Sequence, residues 1–324
     1  HLAYLTNHRP PASSTLCHPA PGYAAYVLPA QGAGVLVAPG GYDPDGVLNV
    51  DSARSGLDLE QEIVATLKGH NGGGTSWGLV GMDLVPASFY LDVTRALSAL
   101  EWRAADALLE GQRLIKSEAE MALLERAARV GAEGLAGGIS AANPGATQHE
   151  VELAVREACL GAGADMVAAV DVSSGPRLEA LRRPPSPAII KEGDFVSLGV
   201  RGWAGGYAFD LAQVGVPQGP SAEQLDYLQH LVEATAWMRG RMLPGERLVY
   251  YPAESRGRMI DSLAHGIGLE RAEKPWVRVR KPFVPQVGMV LCVAPVVDSE
   301  AFGQMTIKAM VAIRESGPQV LGQE

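Results

Sequence analysis

The sequence predicts an α/β (α+β) protein of two domains, formed by residues 1–112 and 113–324. With 324 residues, the chain exceeds the roughly 100–200 residues of a usual single domain. Its first third alternates short β-forming runs with helical runs, and the remainder opens on a long helical segment. Hydrophobic residues make up 47% of the chain and charged residues 19%, which excludes a disordered or fibrous protein.

The first domain shows the alternation typical of a small α/β unit. Short apolar runs bounded by turns predict strands, and apolar residues at helical spacing predict helices. The predicted strands are residues 23–28, 34–38 and 77–81, and the predicted helices are residues 57–67 and 87–100. Glycine and proline turns separate these elements.

The second domain begins with a helix whose start is marked in the sequence. Ser117 is followed three residues later by Glu120, which is the spacing of a capping box. Leu124 and Ala128 then recur on one face of the predicted helix.

A weak internal duplication follows in the same domain. Pro-Gly pairs at 144–145 and 244–245 each precede a predicted helix, and Gly193 and Gly288 each open a strongly β-forming run. Two such units about a pseudo-twofold axis would place equivalent strands side by side at the centre. A site built from both halves would lie there.

Charge and cysteine content exclude several classes of partner. The net charge of −9 gives no basic field for a polyanion, so we expect neither nucleic acid nor a membrane as partner. Three cysteines without a CxxC pair indicate neither a disulfide framework nor a thiolate zinc site. No leader is visible at His1 and no apolar run of about 20 residues occurs, so we expect a cytoplasmic location.

A series of motifs links the second domain to a known family. They are Leu-Ile-Lys-Ser at 114–117, Ser-Gly-Pro at 174–176, Lys-Glu-Gly-Asp at 191–194, Gly-Tyr-Ala-Phe-Asp-Leu at 206–211, His-Gly-Ile-Gly-Leu-Glu at 265–270 and Gly-Met-Val at 288–290. In this order the chain resembles the creatinase, aminopeptidase P, prolidase and methionine aminopeptidase family, whose fold is called pita-bread. Residues 1–112 resemble the smaller amino-terminal domain of creatinase and prolidase. The resemblance implies a homodimer.

The same resemblance implies a site for two divalent metals, held by two aspartates, one histidine and two glutamates. Asp210 and His265 match two of these ligands. The other three positions carry Gly199, Ala294 and Lys308, which cannot replace carboxylates. We therefore expect an enzyme without metal or other cofactor.

The catalytic candidates follow from these departures. Creatinase, a metal-free member of the family, is taken to use a histidine as acid and base, which implies this role for His265. Lys308 is expected to pair with Asp210 and to supply part of the charge that metals give in relatives. Glu273 is a further acid or base candidate.

Candidate substrate-binding residues lie on the flanking loops. Two family histidines near the substrate fall on Arg182 and Ala272, and Arg182 with Arg177 has the chemistry to bind a carboxylate. Glu270 is expected to orient His265 or to contact substrate, and Tyr251 to form an aromatic wall. Cys292 is interpreted as a buried strand thiol without a partner histidine.

These residues predict a metal-independent hydrolase acting on a C–N bond of a small amino-acid-like or carboxylate-bearing substrate. A lyase, cyclase or isomerase of a biosynthetic pathway would use the same site. A non-catalytic pseudo-peptidase that binds peptides or proteins is a further alternative. An Xaa-Pro metallopeptidase requires the matches at Gly199, Ala294 and Lys308 to be wrong.

Overall fold

The computed structural model describes residues 2–6, 24–39, 50–56, 58–70, 76–178, 183–249 and 262–322. The chain divides into two compact units, His1–Gly111 and Gln112–Glu324. Two of the candidate site residues, Arg182 and Tyr251, lie outside the described residues.

The first unit contains two small sheets and short helices. Its elements are α1 (Leu2–Thr6), β1 (Ala25–Val27), β2 (Val35–Pro39), β3 (Ser52–Gly56), α2 (Leu59–Gly69), β4 (Ser76–Leu79), α3 (Ala87–Ala96), β5 (Glu101–Ala104) and α4 (Asp106–Leu114), the last of which runs on into the second unit. β2 pairs antiparallel with β1 and parallel with β3, and β4 pairs parallel with β5. Val37, Ile63, Leu67 and Val93 are buried in its core.

The described part of the second unit contains three further helices: α5 (Glu118–Ala141), α6 (Gln148–Gly161) and α7 (Ala222–Gly240). The Ser117–Glu120 capping box is present at the start of α5, as the sequence predicts. Gly138 of α5 allows close packing on α6, since an added Cβ would lie 2.4 Å from Val155 Cγ2. Among the described residues, no helix is long and apolar enough to cross a membrane.

Two antiparallel sheets form the centre of this unit. The first contains β6 (Met166–Gly175), β7 (Phe195–Ala204) and β8 (Tyr207–Gly215). The second has the order β10-β9-β11-β14-β15 and contains β9 (Ser262–Gly266), β10 (Glu273–Arg278), β11 (Val290–Val293), β14 (Ala309–Arg314) and β15 (Gly317–Val320). A hairpin of β12 (Val296–Ser299) and β13 (Gly303–Thr306) lies between β11 and β14 in sequence.

One antiparallel bridge joins the edges of the two sheets. Ala212 of β8 pairs with Lys308, directly before β14, and the Lys308 N–H donates to the Ala212 carbonyl over 2.9 Å. Cross-strand neighbours share a face of the sheet, so this bridge determines which side chains meet between the two halves.

The internal duplication is visible in the backbone. Gly145 and Gly245 have φ of 96° and 80°, which favours glycine at both positions. The Gly145 N–H donates to the carbonyl of Ile190 over 2.9 Å, and the Gly245 N–H donates to that of Pro285 over 2.8 Å. Each half therefore contains the same turn, held by the segment that leads to its own strands, which confirms the predicted repeat.

Candidate active site

The site lies where the edges of the two sheets meet. Its first row consists of cross-strand neighbours from four chain segments. Asp171 of β6 is opposite Gly199 of β7, Gly199 is opposite Ala212 of β8, and Ala212 is opposite Lys308. Asp210 lies two residues before Ala212 and therefore points to the same face. The backbone register thus brings Lys308 to Asp210 and places Asp171 over Gly199.

A second row lies on the neighbouring sheet. His265 of β9 is opposite Cys292 of β11 on one side and Trp276 of β10 on the other. The His265 and Trp276 rings lie 5.7 Å apart, and the Cys292 thiol donates to the Asp210 carbonyl over 3.4 Å. The two rows therefore meet at Asp210.

Asp210 is bound by two cations. Lys308 Nζ lies 2.8 Å from its Oδ1, and Arg271 Nη1 lies 3.1 Å from its Oδ2. The side chain of Asp210 is 1% exposed, and such burial alone would raise its pKa. Lys308 and Arg271 outweigh this effect and hold the pKa of Asp210 below its ordinary value. The expected Lys308–Asp210 contact is present, and Arg271 is a second partner that the sequence did not reveal.

His265 is held in one tautomer by its own strand. Its Nδ1 lies 2.9 Å from the Gly266 carbonyl, which can only accept, so Nδ1 carries the proton and Nε2 is left as a base. Burial lowers the pKa of His265; the Gly266 bond and Asp210 oppose this shift, while Lys308 and Arg271 add to it. The imidazole is therefore neutral near neutral pH.

The donor set does not fit a pair of divalent metals. Among the described residues, one group of possible ligands lies together: Asp210, His265 and Cys292, whose ligand atoms are within 4.8 Å of one another. Gly199 supplies no side-chain donor. Both Asp210 oxygens already bind cations, and a metal ion beside them would be repelled by the Lys308 ammonium.

Glu273 and Glu270 belong to a different, partly buried cluster. Lys116 Nζ lies 2.7 Å from Glu273 Oε1, and Arg113 pairs with Glu273 Oε2. Arg113 also pairs with Glu270 Oε1 over 2.7 Å. Because both oxygens of Glu273 are engaged by buried cations, its placement does not suit the acid or base role expected from the sequence. Glu270 pairs with Arg113, so the expected contact between Glu270 and His265 has no support either.

Arg177 does not join the site either. Its side chain is exposed, and its guanidinium donates to the backbone carbonyl of Glu300. The carboxylate-binding role expected for it has no support in this position. Arg182 and Tyr251 cannot be placed, because both lie outside the described residues.

The positions of four side chains at the site are not evident from the sequence. Cys292 is a buried strand thiol, as the sequence predicts, but its cross-strand neighbour is His265, which the sequence does not indicate. Asp171 and Arg201 form an ion pair of 2.8 Å on the Asp210 face, and Arg271 reaches Asp210 from the β9–β10 loop. A charged residue inside an apolar strand, such as Asp171, was the one available signal.

The two joined sheets and the preceding α/β unit define the pita-bread class. An Xaa-Pro dipeptidase structure from Bacillus anthracis matches 100% of this chain and 90% of its own, with a TM-score of 0.85 at 21% identity. A prolidase structure from Pyrococcus furiosus matches with a TM-score of 0.81 at 19% identity, over 100% and 94% of the two chains. The predicted fold is thereby confirmed.

The chain belongs to metallopeptidase family M24, whose model matches residues 122–315. It is 26% identical to YqhT, an uncharacterised peptidase of Bacillus subtilis, over 72% of this chain and 69% of that protein. It is 24% identical to an Xaa-Pro dipeptidase of Pyrococcus horikoshii, over 73% and 70% of the two chains. These relatives support the peptidase alternative better than the metal-independent hydrolase that the sequence favoured.

Proposed function

We propose that the protein hydrolyses a C–N bond in a small peptide-like substrate, with Xaa-Pro dipeptides as the first class to test. The observation that carries this proposal is the buried His265 beside Asp210, at the join of the two sheets of an M24 chain. The printed activities of the relatives supply the substrate class. For the substrate, we therefore place the peptidase alternative before the hydrolysis of a small amino-acid-like molecule that the sequence favoured.

The chain's own residues supply the parts of a hydrolytic step. Nε2 of neutral His265 takes a proton from water as the water oxygen bonds to the substrate carbonyl carbon. The same nitrogen returns the proton to the leaving amine when the C–N bond breaks. Positive charge on Lys308 stabilises the negative oxygen that forms between these steps.

The second candidate concerns the metal requirement. We propose that this hydrolysis proceeds without the metal pair implied by the family, because two cations are bound to Asp210 and the Gly199 position offers no ligand. The family comparisons favour a metallopeptidase, so the donor set and the relatives disagree on this point. No step of the mechanism above depends on a metal.

One assay tests both proposals. Gly-Pro and Ala-Pro are incubated with purified protein after EDTA treatment, and again with added Mn²⁺. Release of proline in both conditions, lost in His265→Gln, is the expected result. Turnover that requires Mn²⁺ would contradict the metal-independent mechanism alone. No release of proline in either condition would contradict the proposed Xaa-Pro activity and favour the lyase, isomerase or binding-module alternatives.

Two coarser expectations also remain predictions. The resemblance implies a homodimer, which size-exclusion chromatography with light scattering tests directly. The cytoplasmic location rests on the sequence alone and is tested by cell fractionation.

A further inference from the structure

The described side chains on the face of the site carry more positive than negative charge. Lys308, Arg271 and Arg201 contribute three cations, and Asp210 and Asp171 contribute two carboxylates. A partly buried positive charge without a counter-ion is unfavourable, so this arrangement favours an anionic ligand.

The three cations differ in how exposed they are and in how many of their donor atoms bind protein partners. Arg201 is 13% exposed and pairs with Asp171, while Lys308 is 11% exposed and pairs with Asp210. Arg271 is 32% exposed and binds Asp210 through Nη1. Among the described residues, no other group accepts a hydrogen bond from the Arg271 guanidinium.

The loop that carries Arg271 is held in place by its neighbours. Trp203 Nε1 donates to the Leu269 carbonyl over 2.9 Å, and the Ala208 N–H donates to the Gly268 carbonyl over 2.8 Å. Arg271 is therefore positioned before a ligand arrives, which lowers the entropy lost on binding.

The neighbouring cluster has no excess negative charge that could neutralise Arg271. Glu270 and Glu273 face Arg113 and Lys116, so two carboxylates meet two cations there. A counter-ion for Arg271 beyond Asp210 must come from elsewhere.

We propose that Arg271 is a specificity-determining residue that binds a carboxylate of the substrate with the open edge of its guanidinium, beside His265. A planar guanidinium donates two parallel hydrogen bonds to a carboxylate, which fixes the position of the ligand as well as its charge. Asp210 keeps the guanidinium oriented through Nη1. The inference uses the proposed function for its kinetic consequence, whereas anion binding itself can be measured without turnover.

The first test follows the His265 imidazole by NMR in histidine-labelled protein, with the signal assigned through His265→Gln. Sodium propionate is the probe, propionamide is its neutral isostere, and sodium chloride keeps ionic strength equal. A carboxylate bound at Arg271 raises the pKa of His265, because a nearby anion favours the imidazolium. We expect this rise with propionate alone.

Three variants assign the effect. The rise is expected to disappear in Arg271→Gln, to persist in part in Arg271→Lys, and to be unchanged in Arg278→Gln, which removes the same charge from an exposed position of β10. A wild-type protein without the rise, or an equal rise in Arg271→Gln, would overturn the proposal.

A second test separates this inference from the proposed function. If dipeptides are hydrolysed, Gly-Pro should be preferred over its carboxyl-terminal amide by about ten- to a hundredfold in kcat/KM, mainly through KM, and Arg271→Gln should abolish the preference. An equal preference in Arg271→Gln would contradict the carboxylate role while leaving the hydrolase standing. If no dipeptide is hydrolysed, the NMR result still decides the inference.

Discussion

Two partly buried charge clusters of the second unit differ in their balance of acids and bases. The site cluster consists of Asp210, Lys308 and Arg271, with one carboxylate between two cations. The brace cluster consists of Glu270, Glu273, Arg113 and Lys116, with equal numbers of acids and bases.

This difference in charge balance indicates different roles for the two clusters. The brace cluster connects residues 113–116, before α5, to the start of β10, and its charges are satisfied within the protein. The site cluster carries surplus charge and one partly exposed guanidinium. We therefore expect the brace cluster to act mainly on folding and the site cluster mainly on ligand binding and turnover.

The largest expected effect is on the turnover of His265→Gln. Removing the acid and base group should lower kcat about 10²- to 10⁴-fold, while the free energy of unfolding changes little. Steady-state assays on proline release, with urea unfolding of the same preparation, check this. A variant that keeps wild-type kcat would remove His265 from the mechanism.

Glu273→Gln should show the opposite behaviour. It leaves buried Arg113 and Lys116 without their shared carboxylate, so the free energy of unfolding should fall by about 3–5 kcal/mol. Urea titration measures this, and Glu118→Gln serves as control because that carboxylate is 88% exposed. If Glu273→Gln instead abolished turnover at unchanged stability, the acid or base role predicted from the sequence would be restored.

Lys308→Met tests the site cluster itself. Methionine fills a similar volume without the ammonium, so Asp210 keeps Arg271 as its cation and its pKa should rise. We expect at least a tenfold loss of kcat/KM, because the charge that stabilises the negative oxygen is reduced. Unchanged turnover together with unchanged propionate binding would contradict a functional role for Lys308.

The smallest effect is the dependence of stability on pH. The pKa of His265 is lower in the folded than in the unfolded protein, so the unfolded state binds the proton first as pH falls. Neutral His265 contributes fully to the free energy of unfolding above the ordinary histidine pKa of about 6.5. This contribution is lost as pH falls toward the lower pKa of the folded protein. Free energies of unfolding measured at several pH values should show this loss in the wild type. If the same loss occurs in His265→Gln, His265 is not its cause.

Local chemistry made part of the fold predictable. The Ser117–Glu120 pair marks the start of α5 because side chains three residues apart satisfy the free N–H groups of a helix. Gly145 and Gly245 mark equivalent turns because positive φ favours glycine. Strand β3, with the sequence Ser-Ala-Arg-Ser-Gly, escaped prediction because pairing with β2, not propensity, makes it a strand.

The site was harder to predict because cross-strand register determines it. Matching Lys308 to a family ligand position was enough to expect its contact with Asp210. Cys292 and His265 are neighbours through strand pairing between distant segments, which leaves no local signal. Arg271 lies on a loop, where the sequence fixes neither direction nor partner.

Metal stoichiometry most directly tests the proposal that hydrolysis by this chain needs no metal pair at Asp210, which Lys308 and Arg271 bind. Native mass spectrometry of protein saturated with Mn²⁺ or Zn²⁺ measures it in one experiment. We expect fewer than two metal ions per chain and no loss of turnover after EDTA. Two ions per chain, removed by EDTA together with the activity, would contradict it.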